Sequence, residues 1–228
     1  MSIEIEQYIK ETSLSKGGQI AKMGEVDIVV SSPLPDEINL SRVIHTFHKS
    51  LPSAYFRGLD AIYVMESPIF KKREINAFYR DAALFISPEQ ENEQDLVDDL
   101  VHEMAHHLET THPEEIYGDT ALTQEFRTKR KQVQFELASE GYNTQGLDFS
   151  EVAYDKEFDV YMYKRVGYPK LRNLSSGIFL RPYAITSVRE YFASGFEAYY
   201  LKGGKKEDLY RVSPVLYNVI EKLHNDAL

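Results

Sequence analysis

With 228 residues, 43% of them hydrophobic, the chain is long enough for one substantial domain or two subdomains sharing a cleft. It has no cysteine, so disulfides, thiolate metal clusters and cysteine nucleophiles are excluded, and any transition-metal site has to be built from His and carboxylates. A formal net charge of -10 argues against nucleic acid or an anionic membrane as a partner, since both call for clustered Lys and Arg.

In chain order, MSIEIEQYIKETS carries neither a basic n-region nor an apolar h-region, and no apolar run approaches the roughly 20 residues of a membrane span. The expectation is a soluble protein without a classical export signal, either cytoplasmic or delivered or packaged by a non-classical route. A short N-terminal helix comes first. VDIVVSS (26–32) is β-branched and bounded by Pro33 and Pro35, which predicts a strand closed by a turn. NLSRVIHTFHKSLP then sets Leu40, Val43, Ile44 and Phe47 at helical spacing, with Asn39 as the N-cap. LDAIYVME (59–66) and NAFYRDAALFIS (76–87) read as two further strands, ended by Ser67-Pro68 and Ser87-Pro88.

From residue 90 the hydrophobic period changes from two to 3.6, with Leu96, Val97, Leu100 and Val101 forming one stripe. Acidic residues in the first turns of this helix suit its dipole. Further helices are predicted at 120–140, at roughly 151–166, at 186–202 and at 213–227. The basic runs RTKRK (127–131) and KGGKK (202–206) are short and read as a solvated helix face and a turn. The fold class is therefore α+β, strands first and helices afterwards.

The helix beginning near residue 90 runs into HEMAHHLETTH (102–112), which holds four of the seven histidines. Residues four apart share a helix face, so His102 and His106 can converge on one ion while Glu103 meets a water beside it. Two imidazoles and a carboxylate leave zinc a fourth position for water, and Glu103 is then the general base of a metal-assisted hydrolysis. His107 points some 100° from the metal face and reads as a surface residue or one that contacts a ligand from behind. Asp98, four residues before His102, could orient its imidazole.

Two residue types compete for the third ligand. His112 stands at the metzincin spacing, but metzincins place a Gly in the middle of that motif so that the chain can turn back in a left-handed conformation. Glu109 occupies that place here, and a good helix former there predicts a helix that continues and carries His112 away. No Met-turn is visible, because Met162 falls in the helical stretch DVYMYKR. The other option is a carboxylate from a later helix, and PYAITSVREYFASGFEAYYL (182–201) stands out for Glu190 at the head of an apolar face, seven residues after Tyr183.

With Glu190-Tyr191-Phe192-Ala193-Ser194-Gly195-Phe196 on one helix and HEMAH on another, the sequence resembles the peptidase domain of anthrax lethal factor and its relatives, including the Pro-Pro endopeptidases. The resemblance covers about 11 residues around HEMAH and about 20 around Tyr183 and Glu190. It implies a zincin-like fold: a small N-terminal twisted sheet with helices, the HExxH helix, then a mainly helical C-terminal part. In domain terms this is a single metallopeptidase domain over 1–228, with an α/β subdomain (1–110) and a helical subdomain (111–228) that supplies the third ligand.

The roles implied are His102, His106 and Glu190 on one Zn2+ per chain, Glu103 as general base, and Tyr183 as hydrogen-bond donor to the oxyanion. Two departures stand out. The segment between His106 and Glu190 is longer than is usual in that family, so the 120–140 helix reads as an insertion. Ser194 stands where a second Glu is common, and Glu197, the next acidic residue on that face, reads as solvent-exposed.

The function so implied is a zinc-dependent metalloendopeptidase acting on a protein or peptide substrate, with no nucleic-acid or membrane partner. Two alternatives stay open. One is a catalytically silent protein of the same fold, serving as a structural or interaction subunit of a larger phage, virus or toxin assembly. The other is a metzincin-like peptidase using His112.

Overall fold

A computed structural model of the protein describes residues 19–201, 203 and 205–228. The expected N-terminal helix and part of the KGGKK run lie outside the described residues. The described chain divides into two compact units, one ending at His107 and the other beginning at Leu108. Taken along the chain, the elements follow the α+β order expected, a small mixed sheet in the first unit and then helices. Among the described residues, no helix is long and apolar enough to cross a membrane.

The first unit is organised on five strands: β1 (Gln19–Met23), β2 (Val26–Val30), β3 (Ala61–Val64), β4 (Ala77–Arg80) and β5 (Ala83–Ile86). Their order is β1-β2-β3-β5-β4. The β2, β3 and β5 strands run parallel at the centre, and β1 and β4 pair antiparallel at the edges. Helix α1 (Leu40–Ser50) is the crossover from β2 to β3, and Asn39 caps it by accepting a hydrogen bond from the Arg42 N–H, as the sequence predicts.

Two features of the sheet differ from expectation. NAFYRDAALFIS is a hairpin of β4 and β5, because Asp81 and Ala82 both adopt positive φ (47° and 59°), the conformation a two-residue primed turn requires. The β1 strand was not anticipated. QIAKM has little β-branched character, and its place comes from the turn at Gly24 (φ 62°) and the cross-strand Lys22–Asp27 ion pair at 2.9 Å. Strand alternation sends Tyr63 and Phe85 to one face, where they stack at 5.1 Å, and Phe78 stacks on Phe85 at 4.7 Å. Ile62, Val64, Leu84 and Ile86 are buried on the other face. A short helix, α2 (Pro68–Arg73), begins at the Ser67-Pro68 break, with Ser67 as its cap.

Helix α3 (Glu93–Thr111) continues from the first unit into the second. Asn92 closes its start by accepting from the N–H groups of Gln94 and Asp95. The second unit then adds α4 (Pro113–Tyr117), α5 (Ala121–Ser139), α6 (Lys156–Val160) running into a π-helical turn (Tyr161–Val166), and α7 (Tyr168–Leu174). It closes with a 3-10 turn (Pro182–Ile185), α8 (Val188–Tyr200), α9 (Lys206–Val212) and α10 (Pro214–Asp226). The helix expected from about 151 starts only at Lys156. Before it, the Glu151 carboxylate accepts from the Val152 and Ala153 N–H groups, and Asp155 caps α6.

RTKRK is not a solvated face throughout, since Lys129 and Arg130 are buried. Lys129 Nζ donates to the carbonyls of Ile178 (2.7 Å) and Val212 (2.5 Å). Arg130 donates to the carbonyls of Glu151 (2.6 Å) and Asp148 (3.0 Å) and lies 3.7 Å over the Phe158 ring. Burial pulls its pKa down to about 10, so it stays charged at neutral pH. The Arg130→Ala substitution leaves two loop carbonyls without their donor and is expected to lower unfolding stability by about 3 kcal/mol. Arg127→Ala, which removes one exposed bond to the Ser150 carbonyl, is expected to cost about 1 kcal/mol or less. Urea unfolding midpoints of the two variants check the contrast.

Candidate metal centre

Between Glu93 and Thr111 there is neither Gly nor Pro, and Leu96, Val97, Leu100, Val101, Met104, Ala105 and Leu108 are all buried, so α3 is held as one unbroken helix. This helix brings the His102 and His106 rings to a centroid separation of 5.0 Å at an interplanar angle of 81°. Glu103 is buried on the adjoining face. His107 is fully buried, not at the surface: its Nε2 lies 3.1 Å from the Arg57 carbonyl and its Nδ1 lies 3.4 Å from the Tyr79 hydroxyl. A carbonyl only accepts, so Nε2 carries a proton in the bond to Arg57. Asp98 accepts from the Gln94 side chain at 2.7 Å.

Helix α8 carries Glu190 in its first turn. Ser187 is extended and its Oγ accepts from the Glu190 N–H at 3.2 Å, so the cap of the helix binds Glu190 by its own backbone. The Val188 N–H donates to the Val152 carbonyl at 2.9 Å, tying the same turn to the loop that Arg130 holds. Tyr183 sits in the preceding 3-10 turn, its carbonyl accepting from the Thr186 N–H (3.0 Å) and hydroxyl (2.8 Å). Tyr183 keeps part of its surface in solvent, yet the protein packed around its phenol, and then the negative charge of Glu190, push it above its ordinary pKa, so at neutral pH it is a hydrogen-bond donor.

His102, His106 and Glu190 each offer one ligand atom, and the three atoms lie within 4.8 Å of one another, an arrangement that could hold a metal ion. No pair has to close by more than about 1.5 Å to reach the spacing of neighbouring ligands on a four-coordinate ion with bonds of about 2.1 Å. The donor set of two imidazoles and a carboxylate suits a borderline divalent metal. Among the described residues, this is the one such grouping of three or more His and carboxylate residues.

His112 is not in it. Helix α3 runs on through Glu109 to Thr111, and the His112 N–H still donates to the Leu108 carbonyl at 2.7 Å. The His112 ring lies with Nδ1 2.8 Å from the Thr111 hydroxyl, at the start of α4.

Two acidic residues have surroundings the sequence did not suggest. Glu197 is 3% exposed, and its carboxylate lies 2.5 Å from Arg181 Nη2, so the solvent-exposed reading is corrected. Its partner directly precedes the Pro182 turn that carries Tyr183. Glu109 is also buried: one oxygen accepts from the Tyr117 hydroxyl and the other from Arg189 Nε at 3.1 Å. The signal for both was a basic residue beside a site residue, Arg181 near Tyr183 and Arg189 next to Glu190, inside an otherwise apolar stretch.

Comparison with protein-family models, curated proteins and solved structures found no match. Dialysis against Zn2+ followed by elemental analysis is expected to find about one equivalent in the wild type and in His112→Gln, and a large loss in Glu190→Gln. Retention of metal by Glu190→Gln with loss by His112→Gln would restore the three-histidine assignment.

Proposed function

We propose that the chain is a zinc-dependent metalloendopeptidase of zincin-like fold, with His102, His106 and Glu190 as the zinc ligands. The observation that carries this reading is the gathering of those three ligand atoms within 4.8 Å, with Glu103 one residue from a ligand on the same helix. Bound Zn2+ supplies a Lewis acid for the scissile carbonyl and makes water more acidic beside it. Glu103 takes the proton from the attacking water as the oxygen bonds to the carbonyl carbon. The same carboxyl then returns that proton to the amide nitrogen as the carbon–nitrogen bond breaks. Tyr183, held protonated by its surroundings, donates a hydrogen bond to the oxygen that becomes negative during attack.

Glu103 and Tyr183 therefore separate chemistry from metal binding. Glu103→Gln is expected to keep its zinc and to lose about 10²- to 10⁴-fold in kcat, the usual weight of a general base. Tyr183→Phe is expected to lose about 10²-fold in kcat with little change in KM, because the phenol acts only on developing charge. Single-turnover cleavage of a peptide library, read by mass spectrometry on zinc-loaded protein, checks both. Wild-type rates from fully metal-loaded Glu103→Gln would overturn the mechanism. A zinc-loaded wild type that cleaves nothing and binds no hydroxamate inhibitor would favour a silent protein of the same fold.

A further inference from the structure

The buried carboxylate of Glu109 is not used by any step above, yet it is bonded to Arg189, the residue beside Glu190. On a helix of 3.6 residues per turn, Glu109 lies seven residues after His102 and three after His106, within about 20° of the direction of His102. Its side chain is 5% exposed, which for a carboxylate is costly unless both oxygens are engaged. Both are: Tyr117 donates to Oε1 and Arg189 Nε donates to Oε2 at 3.1 Å. Burial, and then the charge of Glu109, push the Tyr117 phenol well above its ordinary pKa and keep it a donor. Arg189 is the residue immediately before Glu190, in the capped first turn of α8.

We infer that Glu109, Arg189 and Tyr117 form a clasp that fixes the first turn of α8 to the last turn of α3, making Glu109 and Arg189 positioning residues for the metal ligand Glu190. The clasp rests on the assignment of Glu190 as a ligand. Its two ends answer different needs. Tyr117 and the buried environment hold Glu109 in one rotamer, and the Glu109–Arg189 pair transmits that position to the backbone of Glu190's neighbour. Ser187 then fixes the Glu190 backbone itself from the N-terminal side. A ligand held in this way loses little conformational freedom when a metal arrives, which raises affinity without adding a ligand. Glu109 thus has a structural use at the position where a metzincin would carry glycine.

The test is metal affinity, measured by competition with a chromophoric zinc chelator on the full chain. The variants are Glu109→Gln, Arg189→Met and Arg189→Lys, with Glu190→Gln as the ligand control and thermal unfolding of the zinc-free proteins in parallel. Glu109→Gln and Arg189→Met are expected to bind zinc about 10- to 100-fold more weakly than wild type, as is usual when a group that supports a ligand is removed. Arg189→Lys keeps the charge and is expected to fall between them and the wild type. With Co2+ in place of zinc, the visible absorption bands of Arg189→Met are expected to shift from those of the wild type, a change that a loss of stability alone does not produce. Folded Glu109→Gln and Arg189→Met with wild-type zinc affinity and unshifted Co2+ bands would overturn the clasp. If Arg189→Met does not fold, the same comparison on Arg189→Lys and Glu109→Gln decides. A wild type that takes up no zinc, or a Glu190→Gln that binds it normally, would instead remove the ligand assignment itself.

Discussion

The unbroken helix from Glu93 to Thr111 is the constraint on which the site depends. Its register puts His102, His106 and Glu109 along one face and leaves Glu103 on the neighbouring one. Because HEMAHHLETTH holds no Gly to favour a left-handed turn, the helix keeps its direction through the motif as far as Thr111, and His112 becomes the N-cap position of the next helix. Any third ligand then has to come from a distant part of the chain, and the carboxylate found with the two imidazoles, in a grouping that could hold an ion, is that of Glu190.

A ligand borrowed from a distant helix must be held in place by something other than its own sequence neighbourhood. In the second unit this is done with charged side chains, some of them buried, whose partners are mostly backbone groups. Glu125 accepts from the Tyr191 hydroxyl and from the N–H groups of Val215 and Leu216, joining α5, α8 and the start of α10. Arg130 grips the 148–151 loop, and the Val152 carbonyl next to that loop receives the Val188 N–H. Arg181 and Glu197 fasten the Tyr183 turn to α8. Burying an ion is costly, and these contacts offset that cost with hydrogen bonds or an opposite charge drawn from other elements.

Much of this was legible in the sequence, and what was missed has physical causes. The central strands, the α1 cap, the HEMAH helix and the helices around 121–139, 188–200 and 214–226 show in period and capping residues, because those signals are local. The β1 strand escaped because its stability comes from pairing with β2, not from its own composition. The Asp81-Ala82 turn escaped because alanine seldom takes positive φ, so an apolar run through it reads as one strand. The short helices at 68–73, 113–117, 168–174 and 206–212 are too brief for a period to emerge, although Pro at three of their starts is the proper sign. Lys129, Arg130 and Glu197 were placed at the surface because charge is the usual mark of exposure. Their burial depends on carbonyls and guanidinium groups far along the chain, which no local pattern encodes.

The central claim is that one ion is held by two imidazoles and the Glu190 carboxylate. X-ray absorption at the zinc edge on the fully loaded wild type tests it most directly. Two imidazole nitrogens are expected at about 2.0–2.1 Å, with oxygen as the remaining atoms bonded to the ion. A spectrum requiring three imidazoles would contradict it.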